Sequence, residues 1–253
     1  MPVSRLSSTV VSTPLAVSAR VAWWGTAWLR GHVVADQLLD AVLEDSVTHV
    51  VSGIEGVQGD SLLTALARLR ALGAHAFGAA FPTEGDLVGL GGPAEFNRAA
   101  LEVGEGVVAV GAGIGLTPRA VGPTYEWVAH PAAPRQVPDV GEADRALRTA
   151  LLHAAEDLAA LDVATWRPEV ADRLMNLRHR RTYAAPPGVP DRCVDLAARG
   201  QQAVEIVEIA LDDDGGALSL GEIERRRAAL VPLERAARRA LVAAFSPEVW
   251  PPG

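Results

Sequence analysis

With 253 residues, 49% of them apolar, the chain is long and apolar enough to bury a proper core as one large domain or two smaller ones. A formal charge of −8 and a sequence pI near 5.3 set the surface as a whole against polyphosphate and argue against a nucleic-acid binder. All 23 basic side chains are Arg, which removes the Schiff-base lysine of pyridoxal enzymes and the phosphate-binding lysines of P-loop NTPases and protein kinases; the single Cys193 removes intramolecular disulfides and Cys-rich metal sites.

Residues 1–15, rich in Ser, Thr and Val with Pro2 and Pro14, read as a flexible lead. Ser and Thr interrupt them and Arg20 closes them, so the apolar core of a secretory signal is missing. The stretch Val21 to Leu29 is nine residues long, against the roughly 20 needed to cross a bilayer. A cytoplasmic protein without membrane contact is expected. Trp23, Trp24 and Trp28 fall close together, and after Gly31 the residues Val34, Leu38, Leu39 and Val42 recur at helical spacing. This predicts a helix–turn–helix pair, with the indoles as core anchors whose N–H groups reach backbone carbonyls.

From Thr48 the period changes. Thr48 to Ser52 is a short β-branched run, Ser61 to Leu72 an amphipathic helix and His75 to Phe81 a second short run, together a βαβ unit. Asp60 is suited to cap that helix, Leu62, Leu66 and Leu69 form its buried stripe, and Gly73 ends it. Another helix opens at Gly92-Pro93 and runs to about Val103, leading into a strand over 106–110. The glycines of 111–115 are spaced G-x-G-x-G and are followed by Leu116-Thr117-Pro118, so they form a turn rather than a dinucleotide loop. The turn feeds strands over 114–121 and 124–130.

Pro131, Pro134 and Pro138 mark a linker between an α/β domain, 16–133, and a helical domain, 139–253. Asp139 with Glu142 makes a capping box, and Leu147, Leu151, Ala154, Leu158 and Leu161 form a seam. A helix from Thr165 to about Leu177 and a Pro-rich break at 186–190 follow. Cys193, Leu196, Gly200, Val204, Val207 and Leu211 then form a second seam, expected to pack on the first through Leu151, Leu158, Val204 and Val207. The last helix opens at Ser219 and Glu222, is kinked or restarted by Pro232, and turns Leu233, Ala237, Leu241 and Ala244 inward. The fold class is therefore an α/β or α+β N-terminal part with a small, partly parallel sheet, followed by an all-α bundle.

The strings RQVPDVGEADRALR (135–148) and LDVATWRPEVADRLMNLRH (161–179) resemble segments of uncharacterised actinobacterial proteins. The resemblance covers the C-terminal half and the loop and helix of 84–104. It implies a bacterial cytoplasmic origin and no particular activity.

Asp212 to Gly216 is similar to a calcium loop, but the register would place Leu211 and Gly215 at ligand positions, so a solvated turn is expected and no metal site. Arg178 to Arg181, with Arg167 and Arg173, could clamp phosphate or RNA, but Glu205, Glu208 and Asp212 are ready intramolecular partners. The His residues are scattered, G-x-S-x-G is absent, and Cys193 lies on a buried stripe. No catalytic group stands out and nothing calls for a cofactor. Open parallel sheets bind ligands beyond the carboxyl ends of their strands. On that logic the loops at 52–55, 83–86 and 111–115 could surround a pocket in which Glu55, Glu84, Asp86 and Asn97 bind a cationic, metal-bound or hydroxyl-rich ligand. The favoured role is a non-enzymatic interaction or regulatory protein whose helical half docks a protein partner or a second copy. The alternative is a small-molecule-binding domain or enzyme with its site at those strand ends.

Overall fold

The computed structural model describes residues 15–160, 183–212 and 220–251. The lead to residue 14, the helix expected at 165–177, the Arg178 to Arg181 run and the turn after Asp212 lie outside them.

The described chain begins with a helical run in which α1 (Val17–Arg20), a π-helical turn (Val21–Gly25) and α2 (Thr26–Leu29) follow without a break. Val17 to Trp23 and Gly25 to Ala27 are buried, so this is an interior helix rather than a surface one with a single apolar face. Ala19, Ala22 and Trp23 join a cluster with Leu196, Leu233 and Phe245, whereas Val17 and Val21 join another with Leu66, Phe77 and Trp127. Gly25 permits the close approach, because a Cβ there would lie 2.7 Å from the Phe77 ring. The run ends where Gly31 turns left-handed (φ 75°) and the N–H groups of Gly31 and His32 donate to the Trp28 and Ala27 carbonyls. After it, α3 (Ala35–Leu43) buries Leu38 and Val42 in the second cluster. The expected helix pair is present, with its first member starting at Val17.

Six strands follow: β1 (Thr48–Ile54), β2 (Val57–Ser61), β3 (Ala76–Ala80), β4 (Gly106–Val110), β5 (Ile114–Val121) and β6 (Thr124–Pro131), in the order β2-β1-β6-β5-β4-β3. β1 and β6 are parallel and every other pair is antiparallel. The expected βαβ unit is therefore corrected. β2 forms a hairpin with β1 before α4 (Leu62–Ala71) begins, Asp60 belongs to that strand, and Ser61 is the residue that caps α4 by accepting from the Thr64 N–H. β2 escaped notice because Val-Gln-Gly-Asp-Ser shows no apolar alternation. α4 then carries the chain from one sheet edge to the other, so three strands separate β1 from β3 and the two run in opposite directions.

Val51, Phe77, Val107, Leu116 and Trp127 lie in the cluster that receives Val17 and Val21 of the helical run and the α4 stripe. Phe96 and Ala100 of α5 (Ala94–Val103) pack against Val108 in a separate cluster, as alternation along β4 requires. Strand β3 is an edge whose outward backbone groups are occupied: Phe77 N–H donates to Thr26 Oγ1, which donates back to the Phe77 carbonyl, and Ala79 N–H donates to the Phe245 carbonyl. An edge closed this way cannot template another strand.

The helical part contains α6 (Val140–Ala160), α7 (Asp191–Asp212) and α8 (Leu220–Ala244), followed by a 3-10 turn (Pro247–Val249). Asp139 Oδ1 accepts from the Gly141 and Glu142 N–H groups and so caps α6. The expected packing of α6 on α7 is corrected: both lie mainly along α8, and they touch each other only slightly. The cause is the small-residue surface of α8, with Ala236, Ala237, Ala240, Ala243 and Ala244 buried, which lets Gly200 of α7 sit against Leu241. α8 continues through Pro232, which lies on its exposed side. None of the described helices is long and apolar enough to cross a membrane.

Leu147 is fully buried in the shared cluster, while Leu151, one turn on, is half-buried. Leu147→Ala should therefore destabilise by about 2 to 5 kcal/mol in chemical denaturation and Leu151→Ala by clearly less. Equal costs would place the α6 seam wrongly.

Candidate functional site

The loops chosen from the sequence do not converge. Because β1 and β3 run in opposite directions, the loop carrying Glu55 and the loop carrying Glu84 and Asp86 leave opposite ends of the sheet. Glu55 is exposed, and its carbonyl accepts from Arg68 Nε at 3.2 Å. Asp86 is buried and committed: Arg239 donates to both of its oxygens at 2.9 and 3.2 Å, and its backbone pairs with Thr83 across a tight turn. Asn97 Oδ1 accepts from the Gly92 N–H at 3.0 Å and steadies the entry to α5. Glu84 is exposed and lines an open cleft of about 530 Å³ with Arg98, Glu102 and Arg238. Among the described residues no group of three or more His, Cys, Asp or Glu is placed to hold a metal ion.

A cluster of polar groups is buried where the helical run meets α3 and the sheet. Arg20, 6% exposed, pairs with Glu44 at 2.5 Å, and Ser18 N–H donates to Glu105 Oε2 at 2.9 Å. Glu44 sits in a turn closed by Ser46 N–H to the Leu43 carbonyl, at φ 46° and ψ −114°, a conformation that suits glycine. His49, 1% exposed, accepts from the Trp127 indole N–H at Nδ1, so the neutral ring holds its proton on Nε2. Burial, reinforced by the Arg20 charge, pushes the His49 pKa down to about 4. Burial pushes the Glu105 carboxyl up, against the Ser18 backbone hydrogen bond and the Arg20 charge. Burial likewise raises the Cys193 thiol to about 11, which leaves it protonated and inert at neutral pH.

The best-formed cavity is a groove of about 470 Å³ at the carboxyl end of β4. Val108, Val110, Ala132, Val137 and Val249 supply most of its wall, and the Gly111 to Gly113 turn lies at its rim. Its charged wall is the pair Arg135 and Glu248. The guanidinium makes two bonds to Glu248 Oε1, at 3.0 Å from Nε and 2.9 Å from Nη2, and Nη2 also donates to Ser246 Oγ at 2.9 Å. Nη1 donates to the carbonyls of Ala79 at 2.9 Å and Gly89 at 3.1 Å, so all five N–H groups are engaged. Gly78 is required beneath it, because a Cβ would overlap the guanidinium. Sequence reasoning treated 131–138 as a linker and passed over Arg135; its being the one charge in that Pro- and Ala-rich stretch was the available signal.

Two measurements test the buried cluster. Glu44→Ala and Glu44→Gly both remove the Arg20 partner, but only glycine relieves the turn, so the glycine variant should be the more stable by about 1 kcal/mol. The reverse order would mean that the turn stores no strain. The His49 pKa is depressed on folding, so the unfolded state binds the extra proton. Stability is complete above the unfolded value of 6.5 and falls by up to about 3 kcal/mol as pH drops to about 4. His49→Gln keeps an acceptor for Trp127 and should flatten that slope in urea titrations at stepped pH; an unchanged slope would assign it to other groups.

No solved structure matches this chain. Two proteins of Mycobacterium tuberculosis, "Uncharacterized protein MT1533" of strain CDC 1551 / Oshkosh and "Uncharacterized protein Rv1486c" of strain ATCC 25618 / H37Rv, are each 26% identical over 288 aligned residues, covering 92% of this chain and 98% of their own. Residues 18–140 match the family model described as Rv1486c-like protein, N-terminal domain, and residues 141–242 match the one described as Rv1486c-like protein, C-terminal domain. With both models met in order across nearly its whole length, the chain belongs to the Rv1486c-like protein family.

Proposed function

We propose that this protein is a small-molecule-binding protein whose site is the groove beside Arg135 and Glu248. The observation that supports the reading is the groove itself, about 470 Å³ of mostly apolar wall with one charged pair, the composition and size of ordinary ligand sites. Its rim is the glycine turn after β4, one of the three strand-end loops singled out in the sequence. The Glu84 cleft is wider, and Glu84, Arg98 and Glu102 in it are exposed, a weaker ligand site. Docking of a protein partner or a second copy through the helical half has less support. Among the described residues of that half, the large apolar side chains left exposed are Leu152 and Leu211, too sparse for a docking patch. A cytoplasmic location fits the single, buried Cys193.

Ala133 lines the groove and is half-buried, so Ala133→Trp should fill the space. A thermal-shift screen of metabolites and fragments should find compounds that stabilise the wild type, by about 2.7 kcal/mol at 100 times Kd, and lose that effect in the filled variant. Compounds that stabilise both proteins equally, or a screen without hits, would refute the assignment.

A further inference from the structure

We infer that the groove selects a neutral, largely apolar ligand of two or three fused rings or equivalent branched bulk, and rejects anions and cations alike; this rests on the groove being the binding site. The argument begins with Arg135. A guanidinium in a pocket wall ordinarily marks a carboxylate or phosphate site, because its fork of donors matches two oxygens. Here every donor is taken, by Glu248, Ser246 and the carbonyls of Ala79 and Gly89. An incoming anion would have to displace the Glu248 carboxylate, while a cation would meet a carboxylate whose charge is already matched by a guanidinium 3% exposed and bound to both of its oxygens. The pair is neutral as a unit and offers neither sign of charge to the groove.

The remaining wall supports the same conclusion. Val108, Val110, Val137 and Val249 present branched apolar surface, and Ala132 and Ala133 leave room. At the rim Gly111 and Gly113 have φ of 96° and 66° and no side chains, so a flat ring face can approach the backbone directly. A cavity of about 150 Å³ holds one benzene ring, and 470 Å³ therefore has room for more than one. The overall charge of −8 works further against anions.

Three probes sharing one ring system separate the possibilities: 3-methylindole, indole-3-acetate and tryptamine, titrated by calorimetry into the full chain. The expected result is that 3-methylindole binds at least tenfold more tightly than either charged relative, and that Ala133→Trp abolishes its binding. In Glu248→Gln the Arg135 charge loses its counter-charge, so indole-3-acetate should gain at least tenfold while tryptamine does not. Wild-type binding of indole-3-acetate or tryptamine as tight as that of 3-methylindole, lost in Ala133→Trp, would overturn the ligand class and leave the groove as the site. Failure of all three to bind, or binding that persists in Ala133→Trp, would overturn the groove itself. The wild-type titrations decide the matter even if Glu248→Gln does not fold.

Discussion

The helical run over residues 17–29 is buried on nearly all sides, and that burial is the constraint around which the other elements are arranged. A helix that gives up its solvent face needs apolar partners on both sides and an acceptor or donor for each polar group it takes inward. Trp23 meets both needs, its ring 4.5 Å from Phe245 and its indole N–H on the Ala244 carbonyl at 3.1 Å, whereas Ser18 Oγ and Arg20 Nε of the same run are buried without a hydrogen-bond partner. Burying side chains such as Val21, in the sheet-side cluster, and Trp23, in the cluster shared with α8, contributes roughly 1.5 to 3 kcal/mol each. The strands and the helices therefore share one cluster, in which Ala79 and Phe81 stand beside Leu233 and Phe245.

Closure of the β3 edge follows from the same packing. Thr26 hydrogen-bonds both outward groups of Phe77, and Phe245 and Arg135 take those of Ala79, so the edge is sealed by a helix, by the end of α8 and by the chain between β6 and α6. The segment that joins the two halves is thus a structural part of the sheet edge. It also forms a wall of the groove, which is why the groove opens where sheet, connecting segment and C-terminal turn meet.

Two buried guanidinium groups illustrate two solutions to one electrostatic problem. Desolvating a cation is costly unless its donors and its charge are both answered. Arg135 is answered completely within the fold, which leaves a neutral wall and an apolar preference. Arg20 depends on Glu44, held in a turn that suits glycine better, and its field reaches His49 and Glu105. That cluster places titratable groups, His49 and Glu105, beside a buried cation at the junction between helix and sheet.

Local pattern was enough to locate most elements. The strand over 106–110, the hairpin from 114, the helix ending near Val103 and the caps at Asp139 and Gly73 were legible because turn residues and apolar periods act over a few residues. β2 was not, since an edge strand can form without apolar alternation, and its insertion reversed the relation between β1 and β3 and so separated Glu55 from Glu84 and Asp86. The position of α8 between α6 and α7 was also hidden, because apolar seams at the same spacing match one another equally well and the close fit of Gly200 on Leu241 arises only in the packed bundle. Arg135 is the sharpest case. The sequence by itself determined that a lone charge sits in a Pro-rich stretch; its burial was decided by Ala79, Gly89, Ser246 and Glu248, which lie 46 to 113 residues away and meet only when the tertiary structure closes.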